Sequence, residues 1–171
     1  MNIVLVTIQV VGNPLYDSVT ERWIKTYKEF APTIKHDVLL VTCDSDKTDA
    51  KYDSVATKHV RYYGGGWDCG TWLHIGKMYS DDTFLICCNT STYFVRHGWM
   101  ERFVLMAETH GVGLYGSMAS YEYHPHIRTP CMAFHPSVTW KYPHVINNRE
   151  KTYFFECLGA SQNFSQWCIA N

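Results

Sequence analysis

The sequence predicts an α/β fold, a single domain in which a mostly parallel sheet is flanked by helices. Short β-branched runs alternate with segments of helical periodicity, the order that builds a parallel sheet. The run Thr83–Cys88 is apolar after its first residue, as a strand covered on both faces must be. The loops agree with this. A glycine turn at Gly64 and the polar Asn89-Thr90-Ser91 each follow a strand, and open α/β sheets bind ligands just outside the carboxyl ends of their strands. A length of 171 residues fits one domain with a sizeable core, spanning 1–171.

Taken in order, Asn2–Val10 is the first strand, followed by Gly12-Asn13-Pro14. Ser18 to about Phe30 sets Val19, Trp23, Tyr27 and Phe30 on one helical face, with Asp17 or Ser18 as its cap and Pro32 beyond its end. Asp37–Cys43 is the second strand, closed by Asp44-Ser45-Asp46, and Lys58–Tyr62 is a shorter third. Trp67 to Tyr79 is the second helix and Thr83–Cys88 the fourth strand. Arg96 to about Thr109 is the third helix, with Trp99, Phe103, Met106 and His110 on one side. Gly113–Met118 and Pro130–Phe134 are two further strands. After Pro143 the pattern weakens, leaving Arg149–Leu158 and Ser161–Cys168 as a helical turn or more each. No repeat or interdomain linker interrupts this order.

Bulk properties exclude several classes. Fifteen basic residues stand against sixteen acidic ones and are scattered, so there is no electrostatic footprint for nucleic acid or an anionic membrane. No apolar run reaches the ~18–20 residues needed to span a bilayer. The N-terminus lacks the basic region and cleavage site of a signal peptide. Seven cysteines, an odd number without a CxxC, read as buried thiols of a reducing, cytoplasmic setting. Twelve tyrosines and six tryptophans, several in loops, are suited to stacking on sugars or bases as well as to packing.

Several residues stand where chemistry is done. Asp44 and Asp46 follow a buried strand, where they serve either a ligand or an Asx turn. A calcium loop starting at Asp44 fails, because its sixth residue is Asp49 and its twelfth is Val55. Gly64–Gly66 permits close backbone approach, and the helix beginning near Trp67 offers free N–H groups to a diphosphate. Asp68 lies in that helix's first turn, as a dipole partner or a ligand contact. His124, His126, Cys131 and His135 lack the spacing of a structural zinc site. No GxGxxG or P-loop follows the first strand and no GxSxG elbow occurs, against a dinucleotide binder or a serine hydrolase.

In order along the chain, these motifs resemble a nucleotide-sugar glycosyltransferase of the GT-A (Rossmann-like) fold, and more narrowly the rhamnan-synthesis and related polysaccharide glycosyltransferase-like families. Asp44-Ser45-Asp46-Lys47-Thr48-Asp49 resembles the acidic DDxSTD pattern that ends strand two. Gly64-Gly65-Gly66-Trp67-Asp68-Cys69-Gly70 resembles the NxGxDxG loop. Asn89-Thr90-Ser91 stands in place of the metal-binding DxD, which the rhamnan-type families often replace with a motif resembling NDS. Gly111–Ser117 and Pro125–Phe134 resemble a later strand and an acceptor-side loop. The similarity runs over roughly Ile3 to Ala160.

The resemblance implies transfer of a sugar from a nucleoside-diphosphate donor to a glycan or other hydroxyl acceptor. Thr7, Asp44, Asp46, Gly65, Asp68, Asn89, Ser91 and His126 would bind the donor. Asp44 and Asp46 would hold the nucleoside, Asp68 the ribose or sugar, and Asn89 and Ser91 the diphosphate region. A divalent cation, Mn or Mg, would be held weakly by such neutral oxygens or not used at all. An inverting mechanism needs a general base, usually a carboxylate. Glu156, in an aromatic context that would raise its pKa by desolvation, is that candidate, with Glu122 second and Asp68 also counted as catalytic. The missing acidic DxD leaves open a catalytically inactive domain that binds a nucleotide, a glycan or a protein.

Overall fold

The computed structural model describes residues 1–10, 12–45, 47–48, 50–153, 155–156 and 163–171, with Tyr153 through its backbone alone. The first strand, β1 (Asn2–Gln9), is buried at every residue after Asn2, because it pairs on both edges and is covered on both faces. It lies parallel to β2 (Asp37–Cys43) on one side and to β4 (Thr83–Cys88) on the other, with Thr7 opposite Leu40 and Cys88. Beyond β2 lies β3 (Lys58–Tyr62), also parallel. On the far side of β4 come β8 (Cys131–Phe134), antiparallel to it, and then β5 (Leu114–Gly116). The six-stranded order is therefore β3-β2-β1-β4-β8-β5, a mostly parallel sheet flanked by helices in an α/β domain of Rossmann-like architecture.

Alternation along the strands splits the core into two layers. Ile3, Leu5, Val38, Leu40, Phe84 and Ile86 face Trp23 of α1 (Asp17–Glu29) and Met100 and Val104 of α3 (Trp99–His110). Val4, Val6, Ile8, Leu39, Val41 and Leu85 face Trp72, Leu73 and Ile75 of α2 (Trp67–Gly76). On that second face, Tyr142, Ile146, Phe155 and Phe164 complete the cluster. A two-stranded ribbon of β6 (Ala119–Ser120) and β7 (His126–Ile127) precedes β8. Three short helices follow: α4 (Ser137–Lys141), α5 (Arg149–Tyr153) and α6 (Phe164–Ala170).

From Cys69 to Gly76 every residue of α2 except His74 is buried, so beyond its first turn this helix shows only His74 to solvent. The sheet covers one side and the 139–152 segment the other. Their approach is so close that a Cβ on Gly70 would meet the Ile146 carbonyl oxygen at 2.5 Å. Gly66 caps the helix at φ 75°, a left-handed conformation that side chains resist, and a Cβ there would collide with the same carbonyl. Thr152 Oγ1 donates to Gly66 O at 3.2 Å and Trp140 Nε1 to Gly76 O at 3.0 Å, tying the later chain to both ends of the helix.

Several sequence expectations shift. A 3-10 turn, Pro14–Tyr16, runs directly into α1. The cap is therefore upstream, where Asn13 Oδ1 accepts from Leu15 N at 3.1 Å, and neither Asp17 nor Ser18 serves as one. The third helix begins at Trp99 after Gly98 (φ 76°), not at Arg96, and buries Met100, Val104 and Ala107. Met106 is exposed, and Trp99 is turned to stack on Phe94 and to donate Nε1 to Phe30 O at 3.0 Å. The second helix stops at Gly76 rather than Tyr79, and β5 is shorter than Gly113–Met118. Helix α4 has no counterpart in the sequence pattern.

Replacing Gly66 with Ala forces both a left-handed side chain and displacement of the Ile146 backbone. Gly66→Ala is expected to lower stability by about 2 kcal/mol in urea-induced unfolding. An unchanged midpoint would show that the chain around Ile146 does not depend on this approach.

Candidate functional site

The parallel pairing of β1, β2 and β4 brings Ile8, Cys43 and Asn89, at or just beyond their carboxyl ends, to one rim of the sheet. A cavity of about 990 Å³ opens there, a volume suited to a small-molecule ligand. The N-terminal turn of α2 enters it through Trp67, Asp68 and Cys69. The β6–β7 ribbon and the following loop supply Glu122, Tyr123, His126, Arg128 and Thr129, and the C-terminal segment supplies Arg149, Thr152 and Glu156.

Asp68 is a partly buried acid of the site. Burial pushes its carboxyl above the ordinary aspartate range, a hydrogen bond with the Asn89 side chain opposes that rise, and the charge of Glu156 adds to it. Asn89 is itself fixed. Its Oδ1 accepts from Ser91 N at 3.2 Å and Ser91 Oγ at 2.9 Å, and its N–H donates to Pro130 O at 2.9 Å. The strand-to-loop junction Asn89-Thr90-Ser91 is thus a self-satisfied neutral turn, anchored further by Thr90 Oγ1 donating to Ile8 O at 3.1 Å.

Glu156 does not stand as an isolated acid among aromatic rings. Its Oε1 accepts from Arg128 Nε at 2.9 Å and lies 3.4 Å from Thr129 Oγ1 and 3.5 Å from Thr129 N. This ion pair joins the C-terminal segment to the loop before β8 across the cavity. His126 is buried at the rim, where its Nδ1 meets His124 O at 2.7 Å. Asp44 lines the cavity at φ 51°, a left-handed position that Asp tolerates, with its N–H donating to Tyr62 O at 3.0 Å.

Of the sequence-derived site residues, Asp44, Asp68, Asn89, Ser91, His126 and Glu156 line this one cavity, as does Glu122. Asp46 lies outside the described residues, as does Asp49 of the same motif. Two candidates are elsewhere. Thr7 is fully buried and, by strand alternation, shares the α1/α3 face with Ile3 and Leu5. Gly65 packs on the 146–147 backbone, where a Cβ would sit 2.6 Å from Asn147 O, so it holds chain to chain instead of lining the cavity.

The structure also adds residues to the cavity wall. Gln9 lines it with Oε1 buried and without a partner among the described residues, a costly state for an acceptor. Trp67 stands at φ 47°, an outlier for so bulky a residue, and is 61 % exposed, with the guanidinium carbon of Arg149 5.7 Å from its ring centroid. Arg128 and Arg149 carry the cations of the site. Each is one charge among fifteen scattered basic residues, and only the fold brings the two to one cavity.

No family model matches this chain, and no curated protein matches it either. Among the solved structures similar in fold is the mannosyltransferase PcManGT from Pyrobaculum calidifontis, in complex with GDP-Man and Mn2+. The TM-score is 0.55 and the identity 10 %, and the match covers 90 % of this chain. This chain spans about half, 51 %, of the length of that protein. At this identity the likeness is one of fold.

Among the described residues the donor set of this cavity is a poor fit for a divalent cation such as the Mn2+ in that neighbour's structure. Divalent cations that bridge phosphates prefer hard anionic oxygens. The loop after β4 offers an amide whose oxygen already accepts three hydrogen bonds, Asp68 is partly buried and bonded to Asn89, and Glu156 is paired with Arg128. Among the described residues no group of three or more His, Cys, Asp or Glu is placed to hold a metal ion. Nor is any helix among them long and apolar enough to cross a membrane.

An acid whose folded-state pKa is raised favours folding when protonated, and that contribution is lost as the pH rises through the folded pKa. Asp68→Asn is therefore expected to raise the Tm at pH 7, with the gain shrinking as the wild type is acidified toward about pH 4, the ordinary aspartate range. Thermal unfolding of both proteins across pH checks this. A gain that grows on acidification would contradict it.

Proposed function

We propose that this chain is a glycosyltransferase that moves a sugar from a nucleoside-diphosphate donor to a hydroxyl of a glycan or other acceptor. The observation that carries this is the convergence of Asp44, Asp68, Asn89, Ser91, His126 and Glu156 on one cavity at the carboxyl ends of β1, β2 and β4. Open α/β sheets bind nucleotides at that edge. The likeness in fold to a protein whose structure contains GDP-Man and Mn2+ supports the same class of donor.

In this proposal Asp44, with Asp46, accepts from the nucleoside, and Asp68 accepts from a ribose or sugar hydroxyl while Asn89 orients it. Asn89 and Ser91 border the diphosphate, and His126 closes the rim. Glu156 takes the proton of the acceptor hydroxyl. The freed oxygen bonds to the anomeric carbon as the bond from that carbon to the diphosphate breaks, and the nucleoside diphosphate leaves. Glu122, exposed in the cavity lining, is the second candidate for that role. Tyr123 and Trp67 offer exposed aromatic faces at the mouth for a sugar ring.

A specific observation favours a second proposal, a domain that binds the donor without turnover: Glu156 is held by Arg128 and Thr129, with its Oε1 engaged. Transfer and hydrolysis assays over a panel of nucleotide sugars, with and without manganese, separate the two. Turnover of at least one donor is expected, and Glu156→Gln is expected to lower kcat by ~10²-fold or more while donor affinity is retained. Donor binding with no turnover of any panel member would favour the binding module, and the absence of binding to every donor would overturn both.

A further inference from the structure

We propose that the negative charge of the donor diphosphate is met in this cavity by the guanidinium groups of Arg128 and Arg149, in place of a divalent cation. This rests on the nucleotide-sugar function proposed above and concerns how the same cavity holds its anion. The mismatch between the donor set and a cation is one half of the case. The loop that would hold a metal is a neutral turn closed on itself through Asn89. Of the four described carboxylates that line the cavity, Asp68 is bonded to Asn89 and Glu156 to Arg128, while Asp44 and Glu122 are exposed. No three such ligands are grouped among the described residues.

The other half is the cations. Arg149 lines the cavity, is exposed, and has no carboxylate partner among the described residues. It is held instead over the Trp67 ring, an apolar and weakly electrostatic contact that leaves its N–H groups for a ligand. Trp67 stands in that position through a left-handed backbone that follows directly on Gly66. Arg128 spends only Nε on Glu156, so its terminal N–H groups remain without a protein partner among the described residues. A guanidinium presents a planar fork that matches phosphate oxygens two at a time, and its charge does not titrate near neutrality. Two such groups in one cavity supply the charge that a divalent cation would, and they do so without needing acidic ligands. The pairing has a consequence for the acid as well. Phosphate oxygens that draw on Arg128 compete with Glu156 for the same cation.

Isothermal titration of GDP and UDP into the protein tests this, first with EDTA and then with added manganese. Binding in EDTA is expected for at least one of the two, with a Kd changed by less than about threefold on adding manganese. Arg149→Ala is expected to weaken that binding by about tenfold or more, as loss of a charge-assisted hydrogen bond does, with Arg149→Lys intermediate. Arg149 is exposed, so the variants are expected to keep the wild-type Tm. Binding that requires manganese would overturn the arginine proposal and leave the nucleotide site standing, as would an Arg149→Ala protein that binds in EDTA like the wild type. No binding of either nucleotide under any condition would overturn the arginine proposal, and the nucleotide-sugar reading falls with it when no donor of the wider panel binds either.

Discussion

The close approach of α2 to the chain around Ile146 is the contact on which the rest of the site depends. A helix so largely buried needs two covers, and the sheet supplies only one. The second is the segment from Thr139 to Thr152, which is helical only at its two ends, in α4 and α5, and lies against Gly66, Gly70 and Gly76. Because Arg149, Thr152 and Glu156 follow from that segment, the same contact that closes the core carries three cavity residues to the carboxyl edge of the sheet. Packing and site geometry are therefore one problem in this protein.

The electrostatics follow from the same arrangement. Enclosure by α2 and the loop after β4 holds Asp68 in a state where its charge is costly, and Asn89 relieves part of that cost with one hydrogen bond. Glu156, whose charge also acts on Asp68, is met by Arg128, so the two carboxylates sit in unlike surroundings. One is enclosed, so that its charge is costly, and the other holds an ion pair. Groups so distinguished are suited to different roles, with Asp68 toward the donor and Glu156 toward the acceptor.

The central strands were legible because their signal is local. Asp37–Cys43, Lys58–Tyr62 and Thr83–Cys88 are apolar or alternating runs bounded by turn residues, and each is a strand over those residues. The face of α3 was less legible, since Trp99 and Phe103 look like core residues by size, yet helical phase buries the smaller Met100, Val104 and Ala107. The antiparallel insertion of β8 between β4 and β5 leaves no trace in a short apolar run. Beyond Pro143 the helices are five to seven residues long and held by tertiary contact, so periodicity had little to report. At the site, acids and small polar residues at strand ends were readable from position alone. Thr7 was not, because one step of strand alternation decides which face it joins, and the pairing of Arg128 with Glu156 spans 28 residues that only the fold closes.

A crystal structure of the protein with a bound nucleoside diphosphate tests the central claim most directly. The nucleotide is expected across the carboxyl ends of β1, β2 and β4, with its nucleoside toward Asp44 and its phosphates between the Asn89 loop and Arg149. A nucleotide bound at another surface, with this cavity filled only by water at saturating ligand, would contradict the account.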